Sequence, residues 1–119
     1  MREVYVDPAL VRYAQRLAAA TRDLSHVGLA DLDAYVEYGV SPRGPINLAL
    51  ASRALALLRG RRYVVASDLR DLLMDVFRHR LVLSYEALAD DVTADQVLAR
   101  VLDVVAVPDQ DFARQEVAS

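Results

Sequence analysis

Gly39-Val40-Ser41-Pro42-Arg43-Gly44-Pro45 opens onto the apolar run Ile46-Asn47-Leu48-Ala49-Leu50-Ala51-Ser52-Arg53-Ala54-Leu55-Ala56-Leu57-Leu58-Arg59, with Gly60 behind it. A serine followed by a proline reads as an N-cap and a first helical residue, because proline's fixed φ suits that position and its missing N–H is not needed there. The sequence therefore predicts a helix from Ser41-Pro42 to about Arg59, stopped by Gly60. Ile46, Leu50, Ala54 and Leu57 share one face, and Ala51, Leu55 and Leu58 continue round it, with Leu48 beyond. Polar side chains are few, and a helix apolar on most sides is expected at the centre of a bundle. Arg43 is the anomaly. It places a full positive charge where the helix dipole is already positive, a penalty of roughly 0.3–1 kcal/mol unless something offsets it. An anion there would be favoured by free amides, dipole and guanidinium together, and phosphate is the prime candidate. The plain alternative is an exposed arginine paired with an acid such as Glu37.

Upstream of this stretch, Asp7-Pro8 repeats the cap-and-proline start, and Leu10, Val11, Ala14, Leu17 and Ala18 recur at helical spacing. This predicts a helix over about 8–22, with Tyr13 beside its stripe. Residues 23–28 read as a loop and Leu29–Tyr38 as short helical turns, ended by Gly39 in a left-handed conformation. Downstream, Gly60-Arg61-Arg62 reads as a turn and Tyr63-Val64-Val65 as a short β-prone segment. Ser67-Asp68 is expected to cap a helix to about Arg78 with Leu69, Leu72, Leu73, Val76 and Phe77 inward. Leu81-Val82-Leu83 is a second extended piece, and Tyr63–Val65 is its candidate partner. Tyr85, Ala87 and Leu88 are candidate anchors of the acidic stretch 84–91. Thr93-Ala94-Asp95-Gln96 fits a capping box and opens a last helix to about Val105, with Val97, Val101, Leu102 and Val105 inward. Residues 108–119 read as a polar, frayed tail.

Composition narrows the function. The chain has 119 residues, enough for one domain with a modest core, and 55% are hydrophobic, which excludes a disordered chain. The net charge is −3, so there is no global basic field for nucleic acid or an anionic membrane. Residues 1–60 carry seven Arg and six acids, residues 61–119 seven Arg and eleven acids. With no cysteine and no lysine, disulfides, thiolate metal sites, Schiff bases and a phosphate-loop lysine are all ruled out within this sequence. His26 and His79 stand far apart with no ligand at helical spacing, so no metal site is expected. There is no Gly-rich phosphate loop, no Gly-x-Gly-x-x-Gly and no nucleophile elbow. No run is long enough to span a bilayer and Met1–Asp7 has no apolar signal core, so the expectation is a soluble, cytoplasmic protein.

Several landmarks carry a resemblance. Ala20-Thr21-Arg22 closes the first helix. Gly39-Val40-Ser41-Pro42-Arg43-Gly44 is similar to a Gly-Ala-Ser-Pro-Arg-Ala box. Ala51-Ser52-Arg53-Ala54-Leu55-Ala56 leads to Gly60-Arg61-Arg62-Tyr63-Val64, Ser67-Asp68-Leu69 stands at a capped helix start, and Phe77-Arg78-His79-Arg80-Leu81 looks like a Leu-Arg-His-Arg segment. In this order they resemble the C-terminal lid of MoxR-type AAA+ ATPases over about residues 5–105. Gly44-Pro45 departs from the family's Ala-Ser type of pair, which is expected to loosen the first helical turn.

The resemblance implies an all-α helical bundle over residues 1–107, with room for a short two-stranded β ribbon. It implies that Arg43 is the "sensor 2" arginine, reaching the terminal phosphates of ATP, with Ser41 and Pro42 as its supporting cap. It implies a parent protein that uses ATP and Mg, contains a nucleotide-binding core in cis, assembles as a hexamer and works as a chaperone-like machine, often beside a von Willebrand A-type partner. The core is absent from these 119 residues, so the fragment itself is not expected to be an enzyme. His79 and Arg80 read either as cations favoured at a helix C-terminus or as contacts to the core or a neighbouring subunit. Arg53 is expected in a structural salt bridge; Arg22 has Asp23 or Glu37 as candidate ion-pair partners, and its role is left open. The competing reading is an autonomous helical interaction or DNA-binding module of histone-fold type, against which the acidic balance argues.

Overall fold

The computed structural model describes residues 4–108. Most of the predicted tail, 109–119, lies outside the described residues. The elements run α1 (Pro8–Arg22), 3₁₀ turns at Leu24–Val27 and Ala30–Tyr35, β1 (Val36–Tyr38), α2 (Arg43–Leu58), α3 (Ala66–Phe77), a 3₁₀ turn at Arg78–Arg80, β2 (Val82–Leu83), α4 (Tyr85–Ala89) and α5 (Ala94–Val104). The expected all-α bundle with a two-stranded ribbon is the fold observed. Among the described residues no helix is long and apolar enough to cross a membrane.

α1 starts where its sequence says, with Asp7 Oδ1 accepting from the Ala9 N–H at 2.8 Å. It buries Leu10, Tyr13, Ala14, Leu17 and Ala18 completely. Tyr13 is thus core rather than flank, and its phenol oxygen accepts from Arg70 at 3.3 Å. α2 and α3 form an antiparallel hairpin turning at Gly60. Arg59, past the end of α2, reaches Asp68 and Asp71 at the start of α3, while Gly44 at the start of α2 lies against Phe77 at the end of α3. α5 closes the bundle with the predicted capping box: the Gln96 N–H donates to Thr93 Oγ1, and the Thr93 N–H to Gln96 Oε1. Its buried residues are Val97, Leu98 and Val101.

Four expectations change. The ribbon pairs β1 with β2, antiparallel, with Val36 opposite Leu83 and Tyr38 opposite Val82. Tyr63 joins Tyr5 instead, in an isolated parallel bridge held by Tyr5 N–H to Arg62 O and Val64 N–H to Tyr5 O at 2.8 and 2.9 Å. Positive φ falls at Gly28 and Gly60, not at Gly39. In α4 only Ala87 anchors; Tyr85 and Leu88 are exposed. The largest change concerns α2. Its buried face is Gly44, Pro45, Leu48, Ser52 and Ala56. The face carrying Ile46, Leu50 and Leu57 points away from the bundle, with these side chains 61%, 55% and 51% exposed. Small residues let α2 approach α1 and α3 closely, and the bulky stripe is left outside.

The start of α3 is held by charge. Asp68 is fully buried. Its carboxylate accepts from Arg61 through both oxygens at 2.8 Å each, from Arg59 at 3.0 Å and from the Val65 N–H at 2.9 Å. Val65 is the N-cap, so Asp68 rather than Ser67 supplies the cap. Burial pushes the carboxyl up, but the hydrogen bonds from Arg61, Val65 and Arg59 outweigh it and hold the group below its ordinary range.

Candidate functional site

Arg43 is the first residue of α2 and is exposed. Among the described residues its guanidinium has no hydrogen bond or ion pair, and Glu37 does not approach it. The helix begins one residue later than the sequence suggested, with Pro42 at the N-cap in helical conformation (φ −58°, ψ −16°). Such shifts are within the ambiguity of a helix boundary. Ser41 still serves the first turn: its hydroxyl accepts from the Arg43 N–H at 3.3 Å, and its carbonyl from the Gly44 N–H at 3.0 Å. A long cation therefore stands free on a helix start whose amides point the same way.

What holds that helix start in place was not foreseen. Val40 is gripped on both sides by the end of α1. Its N–H donates to Thr21 Oγ1 at 2.8 Å, and its carbonyl accepts from Arg22. Thr21 in turn donates to the Ala18 carbonyl, so the buried hydroxyl is fully used. Arg22 thus binds backbone rather than Asp23 or Glu37. Gly39 passes so close to α1 that a Cβ would lie 2.6 Å from the Thr21 carbonyl. At Gly44 a Cβ would collide with Val40 Cγ1 and lie 3.3 Å from Phe77 Cε1. Gly44 therefore tightens the first turn against Val40 and Phe77, where a looser turn was expected. The Thr21-Arg22 pair was visible in the sequence, but nothing local links it to a residue eighteen positions away.

The hairpin brings a second set of cations to the same end. Residues 78–80 follow α3 directly. Arg78 is engaged, donating to both Asp95 oxygens at 2.7 and 3.0 Å; these bonds hold the Asp95 carboxyl below its ordinary range. His79 and Arg80 are exposed and have no such partner among the described residues. They line a cleft of about 580 Å³ with Asn47, Ala51, Asp75 and Val76. Asn47 and Ala51 continue the helical row begun by Arg43, at i+4 and i+8, where successive side chains stand roughly 5–6 Å apart. Arg43, Asn47, His79 and Arg80 thus border one end of the α2–α3 hairpin. Asn47 was not singled out from the sequence; only the antiparallel packing brings it beside residue 79. Arg53 makes no salt bridge among the described residues; it lines a separate groove with Ile46 and Leu50. No cluster of three or more metal-ligating side chains occurs among the described residues.

Residues 28–101 match the family described as the AAA lid domain. The chain is 43% identical over 112 residues to "Chaperone MoxR1" of Mycobacterium tuberculosis, covering 94% of this chain and 30% of that protein. It is 42% identical over 84 residues to "Protein MoxR" of Paracoccus denitrificans, covering 67% and 25%. A solved structure from Cytophaga hutchinsonii, provisionally assigned as an ATPase, superposes with a TM-score of 0.87 at 32% identity over 90% of this chain and 32% of that one. The chain thus spans no more than about a third of these relatives' length. The match covers the Arg43 helix start, the α2–α3 hairpin and the ribbon alike, and on it the chain belongs to the AAA lid domain family, as a lid of the MoxR type.

Proposed function

We propose that this chain is the moving lid of an ATPase and that Arg43 reports the state of the terminal phosphates of bound ATP. The observation that carries the reading is an exposed arginine, unpartnered among the described residues, at the start of a helix whose base is clamped by Thr21, Arg22, Gly39 and Gly44. A cation on so firm a base transfers a phosphate's pull to the whole hairpin rather than to a loose side chain. The residues present suit the phosphate end of the nucleotide only. Asp75 is the sole carboxylate lining the cleft beside them, and the described residues hold no cluster of three or more metal-ligating side chains, so no Mg site is assembled here without other ligands. The metal, the phosphate loop and the attacking water would belong to a nucleotide-binding core in cis. His79 and Arg80, at the same end, would face that core or a neighbouring subunit of a hexamer. A chaperone-like role extends this reading from the name of the Mycobacterium tuberculosis relative, and a von Willebrand A-type partner extends it from the MoxR-type resemblance alone. The cytoplasm is the matching compartment.

The test is Arg43→Ala in the full-length parent. Losing one charge-assisted contact worth about 1.5–3 kcal/mol in the transition state slows hydrolysis roughly 10- to 100-fold. The lid's fold is expected to be unchanged, since Arg43 touches nothing it needs. Unchanged turnover would remove Arg43 from the site. The isolated chain is expected not to hydrolyse ATP, and micromolar ATP binding by it would contradict the idea of half a site.

A further inference from the structure

The ribbon and α4 present a face that this chain leaves uncovered. Tyr38 and Val82 stand opposite each other across the ribbon, 67% and 48% exposed. Tyr85 and Leu88, three residues apart and so on one side of α4, are 85% and 69% exposed. Both pairs belong to one well-anchored unit. The Ser84 N–H donates to the Tyr35 carbonyl at 2.9 Å, its hydroxyl to the Ala34 carbonyl at 2.6 Å, and the Tyr35 hydroxyl to Asp90 at 2.8 Å. Residues 23–42 and 81–99, the two segments that build the ribbon and α4, contain eight acids and no Arg or Lys. Asp33, Glu37, Glu86 and Asp91 are exposed and form no ion pair among the described residues. The carboxylates here, the Asp90 hydrogen bond foremost, hold the Tyr35 phenol above its ordinary range. Exposed aromatic and aliphatic side chains set among unpaired charges of one sign mark a contact surface.

We propose that this face receives a short cationic, amphipathic segment of a separate partner protein. Its bulky apolar residues would pack on Tyr38, Val82, Tyr85 and Leu88, and its Arg or Lys would meet Glu37 and Glu86. Charge selects that occupant. Glu37 adjoins Tyr38 and Glu86 adjoins Tyr85 in the chain, so each apolar anchor has a carboxylate beside it. A nucleic acid or an anionic membrane would be repelled. A second copy set face to face would bring the same carboxylates together with no cation between them. A permanently seated domain fits less well, because lasting interfaces are the more apolar ones and carry few charges at their centre. Carboxylates around aromatic anchors suit a partner that is steered in and then released. None of this depends on Arg43 or on nucleotide.

The probe is a fluorophore-labelled synthetic amphipathic helix of Leu and Arg, about four turns long. It is titrated with the 119-residue chain and followed by anisotropy, without nucleotide. The expected result is saturable binding with a Kd below about 100 μM that weakens as salt rises. Tyr85→Ala/Leu88→Ala, which removes only exposed side chains, should weaken binding about tenfold or more. Glu37→Gln/Glu86→Gln should weaken it and flatten its salt dependence. Leu50→Ser, on the exposed apolar face of α2, should change nothing. The same helix with Glu in place of Arg should not bind. No saturation below about 1 mM would overturn the proposal. Unchanged affinity in both double variants, or an equal loss in Leu50→Ser, would do the same. Two further results would give the face to another occupant and so overturn it. One is self-association of the free chain that Tyr85→Ala/Leu88→Ala abolishes, which means a second copy. The other is loss of probe binding in the full-length parent, which means that its core or a neighbouring subunit already covers the face. ATP hydrolysis is never the readout and Arg43 stays intact, so failure here is distinguishable from failure of the phosphate-sensing reading.

Discussion

Gly44 and Val40 should behave as one packing unit. A Cβ on residue 44 would strike Val40 Cγ1 and crowd Phe77, and Val40 is fully buried, so neither neighbour has free space to yield. Gly44→Ala is expected to destabilise the domain by about 1–3 kcal/mol, the usual cost of overpacking, even though alanine is the better helix former. Val40→Ala removes two buried methyl groups, about 0.8 kcal/mol each in transfer plus a cavity term, or about 2–3 kcal/mol in all. In the double variant the new methyl at 44 occupies the space that Val40 Cγ1 vacates. The loss in the double variant should then fall short of the sum of the two single losses by about 1–2 kcal/mol, a coupling typical of residues in direct contact. Urea unfolding of the four proteins gives the cycle. Additivity within about 0.5 kcal/mol would refute the reasoning, because it would mean that Val40 and residue 44 do not compete for one volume.

Asp68→Asn tests the charged anchor. The wild-type carboxyl has a folded pKa below its unfolded one, so its stabilisation is complete above the ordinary range near pH 4 and disappears as pH falls through the folded value. The variant should lose about 3 kcal/mol at neutral pH and show a shallower acid decline in urea unfolding, the remaining slope including Asp95 on Arg78; an unchanged acid profile would contradict the anchor. Thr21→Val keeps shape but strands the buried Val40 N–H, a loss of about 1–3 kcal/mol, whereas Thr21→Ser keeps the hydroxyl and most of the stability. Thermal unfolding distinguishes them, and equal melting temperatures would exclude the clamp.

Local chemistry was the legible part of this fold. Asp7-Pro8, Thr93 with Gln96, and Gly60 each act within a few residues, and the elements they punctuate lie where expected. Pairings across long separations were not legible. β2 is extended as its Val-Leu sequence suggests, yet nothing in Tyr63–Val65 or Val36–Tyr38 says which of them it joins, and the choice is made by packing. The faces of α2 were inverted for a related reason. A stripe of Ile46, Leu50 and Leu57 has the same period whether its own chain or another body covers it. The contact α2 makes within the bundle is written in small residues, Gly44, Ser52 and Ala56, which hydrophobic pattern underweights. Arg43 was legible as a candidate because it violates a local electrostatic rule. Its supports, Thr21, Arg22 and Gly39, obey every local rule and become meaningful only when residues 21 and 40 meet.

The two ends of α1 also fix how α2 is able to move. Just before α1, Tyr5 is stitched to Arg62 and Val64, beyond the far end of α2; at its close, Thr21 and Arg22 hold Val40, just before the near end. α1 and α2 have 15 and 16 residues, about 22 and 24 Å, so one is nearly the other's length. Each is therefore blocked from sliding along the other in either direction. Axial slip, a common soft motion of packed helices, is removed, and the pair is left to swing as one stiff beam. A displacement at Arg43 is then expected to carry along α2 to the Gly60 turn roughly 25 Å away.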